Sequence, residues 1–394
     1  MRRVGGAILA VLLVVGVLAA IGVGTNWFGL VNQTVAVSGV IGSEKRPFFE
    51  DPQVQAIFAD NGYEVSIETA GSRQIATEAL AEASYDFAFP SSAPAAAKIN
   101  AEQEVIGTYD PFYSPMVLAT FAPIAGLLTE AEVVSQANGV YSFDMSAYLE
   151  LVKNDTRWTD LPGNTDGSIY PADREILITS TDVRRSNSAA MYLSIVSYVE
   201  NGGRVVTTAA EEQAVLTILQ RIFLDQGFSA SSSEGPFNDY LTLGLGKAPI
   251  VLAYESQFLD RQIRNDGSIR DDMVLMYPSP TVLSEHTLLS LTPNGDAVGR
   301  LLVENPELQR KLAEYGFRVP DRSVFDSVLT EKGVAVPPDV VDTVDTPSYE
   351  TLERLIVELE RLYADAGAPA PDPSAEGDAS GDTTTQALHQ SSQP

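Results

Sequence analysis

Cysteine is absent from the chain. Its absence excludes disulfides, thiolate metal sites, a cysteine nucleophile and a lipid anchor on an N-terminal cysteine. Histidine occurs only at His286 and His389, neither with a ligand-spaced partner, which argues against a histidine metal site and a histidine-based triad. No Walker phosphate loop, no dinucleotide fingerprint with its acidic partner and no internal repeat is found. Basic residues are scarce. The 25 Lys and Arg stand against 53 Asp and Glu, a formal net charge of −28. Nucleic-acid binders need a basic surface to displace phosphate counterions, so this balance argues against a nucleic-acid partner. An acidic surface still leaves room for an anion pocket made of hydroxyls and backbone N–H groups at helix starts. No cofactor is implied by any motif.

What is present suits an exported globular protein. The 394 residues are long enough for two or three compact units, and a hydrophobic fraction of 44% supports a sizeable core. Val4 to Gly24 forms 21 residues without a charged or strongly polar side chain, preceded by Arg2-Arg3. At helical rise such a run spans roughly 30 Å, and flanking cations hold the N-terminus on the cytoplasmic side. Residues 1–30 are therefore expected to be a retained signal anchor, a transmembrane helix with the bulk of the chain extracytoplasmic. The competing expectation is a cleaved signal peptide, which usually has a shorter apolar run and a clear cleavage site. Residues 367–394 are Pro, Ser, Thr, Gly and Asp with little apolar content, and are expected to be disordered.

Between these ends, Thr34 to Ser92 carries three short apolar runs separated by two helix-length segments. The first run, residues 34–41, and the alternating second, 63–69, read as strands. So does the compact third, 85–89. Asp51-Pro52 reads as a capped helix start, and 74–83 as an alanine-rich helix. This β-α-β-α-β order predicts a parallel sheet with right-handed crossovers. Residues 104–121 read as an extended crossing segment. Further helices are expected at 129–139, 145–153, 188–199, 211–226, 296–305, 306–315 and 348–364. Further strands are expected at 175–179, 204–208, 247–254 and 273–277, and the apolar run 287–291 is expected to return to the first compact unit.

In a parallel α/β sheet the loops that follow successive strands gather at one edge, where such folds bind ligands. Three polar loops here would do so. They supply Ser43, Glu44 and Lys45, then Ser72 and Arg73, then Ser91 and Ser92. An opposing set is expected from Thr179 to Ser188, with Asp182, Arg184, Arg185, Ser186, Asn187 and Ser188, and from the strand end at Tyr254 and Glu255. Tyr277 is a candidate wall residue. Serines in such loops also serve as ordinary turns and helix caps, and that reading stands beside the binding one. Glu255 would need Arg73, Arg184 or Arg185 beside it if an anion bound nearby, because an unpaired buried carboxylate is costly.

Three stretches carry a family likeness: Ala70-Gly71-Ser72-Arg73-Gln74-Ile75-Ala76 followed by Tyr85-Asp86-Phe87-Ala88-Phe89-Pro90-Ser91; Tyr277-Pro278-Ser279-Pro280 leading to Leu291; and Asn305-Pro306-Glu307-Leu308-Gln309 leading to Tyr315-Gly316-Phe317-Arg318. Over about 34–318 the chain resembles the extracellular solute-binding proteins of the type II periplasmic-binding fold, in the branch that includes molybdate and sulfate receptors. The resemblance implies two α/β lobes joined by two crossing strands, lobe one being 34–120 with 280–366 and lobe two 121–279. It implies a non-enzymatic receptor that captures a small polar solute, such as an oxyanion, for an ABC-type permease or another membrane partner. An interaction or sensor module on the same fold remains open, and a hydrolase using carboxylates such as Asp182 and Glu255 is a third reading.

Overall fold

The computed structural model describes residues 34–365, apart from 227–229, 336, 338 and 340–341. The expected anchor at 1–30 and the expected tail at 367–394 lie outside the described residues. Among the described residues no helix is long and apolar enough to cross a membrane.

Strands β1 (Val35–Ile41), β2 (Tyr63–Thr69) and β3 (Phe87–Phe89) are parallel neighbours in the order β2-β1-β3. The chain alternates strand with helix, so each strand must be re-entered from the same end. Asp51 starts the first connection, its carboxylate accepting from Gln53 N at 2.7 Å ahead of helix Pro52–Asp60. Strand β4 (Gly107–Phe121) is fifteen residues long and serves two sheets. A hairpin of β5 (Val134–Ala137) and β6 (Val140–Asp144) follows, then β7 (Ile250–Tyr254), β8 (Met273–Ser279) and β9 (Leu283–Ser290).

The first part of β4, from Gly107 to Pro115, pairs antiparallel with β9, which in turn pairs with β3 and completes the first sheet. The rest, from Met116 to Phe121, pairs antiparallel with β7 and β8, and β8 pairs parallel with β6 in the second sheet. The chain thus crosses once along β4 and returns from β8 to β9. Each sheet has its own core. Val37, Ile41, Phe49, Phe58, Phe87 and Phe89 pack with Val298, Leu302, Leu312 and Phe325 of the late helices. Leu118, Phe121, Tyr148, Leu193, Val196, Leu219 and Phe223 pack together under the second sheet.

Several local expectations are corrected. Residues 129–139 are not a helix. A helix starts earlier, at Ala122–Glu130 with proline in its first turn, and Asn138-Gly139 then turns the β5–β6 hairpin with φ of 52° and 81°. Both turn residues are left-handed, as a tight hairpin turn demands. Residues 175–179 are extended but join neighbours only through single bridges, Arg157 to Glu175 and Thr179 to Val251. Residues 204–208 form no strand. They lead to Thr208, which caps helix Ala209–Leu224 in a reciprocal box with Glu211. Helices Glu234–Thr242, Glu255–Arg264 and Arg322–Glu331 were not anticipated.

The last helix, Tyr349–Asp365, also departs from expectation. The resemblance implies that it belongs to lobe one. Its apolar stripe of Leu352, Leu355, Ile356, Leu359 and Tyr363 is instead buried in the core of the second sheet, chiefly against helix Ala209–Leu224. Amphipathic periodicity fixes which face is buried, but the partner is chosen by where an uncovered apolar surface remains.

Candidate functional site

The loops after β1, β2 and β3 do converge, and Ser91 is their centre. After Ile41 the chain turns through Gly42 into a single 3-10 turn, Ser43–Lys45. A Cβ on Gly42 would lie 2.5 Å from both the Glu44 carboxylate and Ser91 Oγ, so only glycine leaves room for that carboxylate. Phe48 and Phe49 anchor the following turn in the first core. Ser43 points to solvent and takes no part in the cluster.

Lys45 is fully buried, and each of its three ammonium donors finds an acceptor. Nζ donates to Glu44 Oε1 at 2.6 Å, to Ser91 Oγ at 2.6 Å and to His286 Nδ1 at 3.1 Å. The contact to Nδ1 leaves the imidazole proton on Nε2, which faces Ser284 Oγ at 3.3 Å. The Ser284 hydroxyl donates to the Ser91 carbonyl at 2.8 Å, and the Ser91 hydroxyl donates to Glu44. The Ser91 N–H donates to Ser72 Oγ at 2.9 Å. Phe112, Phe317 and Tyr254 surround the imidazole.

The second sheet reaches this network through Asn187, at the start of helix Asn187–Glu200. Its Nδ2 donates to the Ser91 carbonyl at 2.7 Å and to the Tyr254 hydroxyl at 3.2 Å. Ser188 Oγ meets Thr181 Oγ1 at 2.8 Å and Ser186 Oγ at 2.9 Å. The two loop sets approach closely. A Cβ on Gly71 would fall 2.6 Å from the Arg185 carbonyl oxygen, and Arg73 Nη1 donates to the Arg184 carbonyl at 3.0 Å. The cavity between them is lined by Ser72, Arg73, Ser92, Arg185, Ser186 and Asn187, with Tyr349 and Glu353 of the last helix closing it. About 30 Å³ of space remains, enough for water.

Of the residues expected at the site, Lys45, Ser72, Ser91, Asn187 and Tyr254 form one connected network. Arg73, Ser92, Arg185 and Ser186 line the adjoining cavity, and Ser92 also caps helix Ala93–Glu102. Ser188 backs the Asn187 loop. Asp182, Glu255 and Tyr277 are committed elsewhere. Asp182 grips Arg184 at 2.6 Å, which in turn stacks on Tyr363. Glu255 is fully buried and paired with Arg318, Nε to Oε2 at 2.6 Å and Nη2 to Oε1 at 2.8 Å, while the Tyr277 hydroxyl donates to Oε1 at 2.7 Å. The expected neutralisation of Glu255 by Arg73, Arg184 or Arg185 is therefore corrected: Arg318 does it, because the turn after helix Pro306–Glu314 brings the two together. Asp182 and Glu255 are thus each held by an arginine of its own.

Sequence reasoning named Glu44 only as part of the first polar loop, and it missed Ser284 and His286 in the network and Glu353 at the cavity. One signal was present. Ser284 and His286 lie two apart on β9, so they share a face, and that face points inward. Lone polar residues on the buried side of a strand need partners, which here are Lys45 and Ser91.

Burial sets the electrostatics of the network. Burial alone would raise the Glu44 carboxyl, but the adjacent Lys45 ammonium and the hydrogen bonds from Lys45 and Ser91 overcome it and hold the pKa at about 2. Burial pushes the Lys45 ammonium down, with Glu44 opposing. Burial, and then the Lys45 charge, drives His286 well below its ordinary range, so it is neutral. The lowered pKa values of Glu44 and His286 make the junction acid-labile. The unfolded chain takes up a proton at histidine near pH 6.5 and at glutamate near 4.5, whereas the folded chain resists both. Stability should fall below pH of about 6.5 through His286 and again between about 4.5 and 2 through Glu44. Urea midpoints at pH 7, 5 and 3 measure this. Glu44→Gln should flatten the lower step, and an unchanged pH profile in that variant would remove Glu44 from the account.

No protein-family model matches the chain, and no curated protein matches it by sequence. Solved structures do match in fold. The sulfate-binding protein SubI from Mycobacterium tuberculosis aligns with a TM-score of 0.51 at 15% identity, over 81% of this chain and 96% of that one. A periplasmic thiamin-binding protein aligns at 0.50 and 12% identity, over 83% and 96%. AfuA from Actinobacillus pleuropneumoniae, a periplasmic binding protein solved with fructose-6-phosphate, aligns at 0.50 and 10% identity, over 84% and 98%. The chain has the type II periplasmic-binding fold.

Proposed function

We propose that this protein is an extracytoplasmic solute-binding protein, holding a small polar solute at the junction of two lobes. Lobe one comprises 34–120 with 280 onward, except that the helix Tyr349–Asp365 docks on lobe two, which comprises 121–279. The run Val4 to Gly24 tethers it to the membrane, and occupancy is passed to an ABC-type permease or another membrane partner. The observation that carries this reading is the contact of Asn187 with the Ser91 carbonyl at 2.7 Å. It brings the loop ends of the parallel sheet against a helix start of the other sheet, where this architecture holds ligands. The chain is similar in fold to binding proteins named for sulfate and for thiamin and to one solved with a sugar phosphate. These solutes are polar, and they differ in charge.

A second reading has its own support. The Lys45 network is satisfied internally, with every ammonium donor engaged by protein atoms. A junction complete without solute also suits an interaction or sensor module. Native mass spectrometry of the full-length chain, released gently from detergent, separates the two. A retained small molecule, lost in Asn187→Ala, supports the receptor. A bare mass, with no thermal shift across oxyanions, amino acids, sugars and phosphonates, supports the interaction module.

A further inference from the structure

The helix Tyr349–Asp365 spans the junction. On the second-sheet side, Arg354 pairs with Glu212 at 2.6 Å and the Tyr363 hydroxyl donates to the Phe223 carbonyl at 2.6 Å. On the first-sheet side, Lys98 lies over the Tyr349 ring at 5.1 Å, and Arg73 Nε meets both Glu353 oxygens at 2.7 and 2.8 Å. The approach to the helix is pinned to the return segment. Thr281 N donates to the Asp342 carbonyl, and Val344 N to the Thr281 carbonyl, both at 2.9 Å. Glu353 thus places a carboxylate on a cation that lines the cavity between the lobes. It comes from a segment that must leave, or shift, for anything larger than water to enter.

Resting on the solute-binding reading above, we propose that this helix is a tethered competitor of the solute, and that the solute is an anion. Glu353 holds on Arg73 the position that a carboxylate, phosphate or sulfate group of the solute takes, so helix docking and solute binding exclude one another. The chemistry is shared. A guanidinium offers paired donors that match two oxygens of any of these groups. The energetics fit a reversible latch. Arg73 and Glu353 are 32% and 23% exposed, so their pairing is partly screened and can be exchanged. The bridges of Asp342 and Val344 to Thr281 keep the displaced Glu353 close at hand. A competitor that keeps the site filled nine-tenths of the time weakens apparent affinity by about tenfold.

The test uses the full chain in detergent and three probes: inorganic sulfate, inorganic phosphate and succinate. Titration calorimetry should give at least one probe an affinity about tenfold higher in Glu353→Gln than in the wild type. The same probe should raise hydrogen exchange across 349–365 in the wild type, and Arg73→Ala should abolish both effects. Glu360→Gln, on the exposed side of the helix, should change neither. Equal affinities in wild type and Glu353→Gln overturn the competitor role, as does an equal gain in Glu360→Gln, which would mean mere loosening of the helix. If Glu353→Gln frees the helix and no probe binds either form, the anionic competitor is overturned, while solute binding itself still answers to the mass-spectrometric test.

Discussion

Arg318→Ala is expected to destabilise the fold by about 3–5 kcal/mol, the effect of stripping one partner from a buried ion pair. Arg318 and Glu255 are 2% and 0% exposed, and their two hydrogen bonds are parallel and short. Arg318 follows helix Pro306–Glu314 and is held by a backbone bridge to Tyr113 of β4. Glu255 opens helix Glu255–Arg264 directly after β7. The pair therefore ties a strand end of the second sheet to the late helices of the first. Removing the guanidinium leaves the buried Glu255 carboxylate with the Tyr277 hydroxyl donating to it but no arginine opposite. The fold must then distort, admit water or protonate the acid, and each is costly. Urea unfolding of Arg318→Ala measures the loss. The double variant Arg318→Met with Glu255→Gln should recover much of it, because no charge remains to be paired. A loss below about 1 kcal/mol in the single variant, the range of exposed pairs, would show that Glu255 finds another counter-charge.

Lys45→Met should have a comparable effect, about 3–5 kcal/mol at pH 7, with a pH dependence that identifies its cause. Methionine matches the length of the lysine stem but loses the ammonium that lies 4.9 Å from the centre of the Phe89 ring. It removes the ammonium, so the Glu44 carboxylate, 11% exposed, loses its cation. Without that charge, burial governs Glu44 and its pKa rises instead of standing near 2. The deficit relative to wild type should therefore shrink as pH falls from 7 toward 4, since the variant can protonate Glu44 while the wild type cannot do so at little cost. The double variant Lys45→Met with Glu44→Gln should lose much less than the single one. Unfolding curves at pH 7, 5.5 and 4 provide the comparison. A deficit that stays constant with pH would assign the loss to packing and not to the uncompensated carboxylate.

Local signals in the sequence were strong where chain neighbours decide structure. The parallel β2-β1-β3 arrangement follows from alternating apolar runs and helix-length connections. Asp51-Pro52 and Asn305-Pro306 start helices because each pairs a side-chain acceptor with a proline at the first helical position. The crossing segment was legible because a long apolar run interrupted by Pro111 and Pro115 cannot be a helix. The signal fails at 129–139, where a helix is expected but the left-handed Asn138-Gly139 pair turns a hairpin.

The serine loops show the division more sharply. Composition and loop position alone marked Ser72, Arg73, Ser91 and the 182–188 loop as residues that could meet at one place. They do lie around one junction, since a parallel sheet gathers its loop ends whatever their chemistry. Which residues partner which was decided in three dimensions. Glu44 is joined to His286 across 242 positions, Glu255 to Arg318 across 63, and Arg73 to Glu353 across 280. No periodicity or spacing encodes such pairs, because each depends on where two independently folded segments come to rest. The sequence by itself therefore determined the α/β class, the acidic and cysteine-free chemistry and the edge where a site would form. Only the tertiary structure decided that the arginine and lysine at that edge are already matched by the protein's own carboxylates. Buried charge must be paired, and packing alone selects the partner.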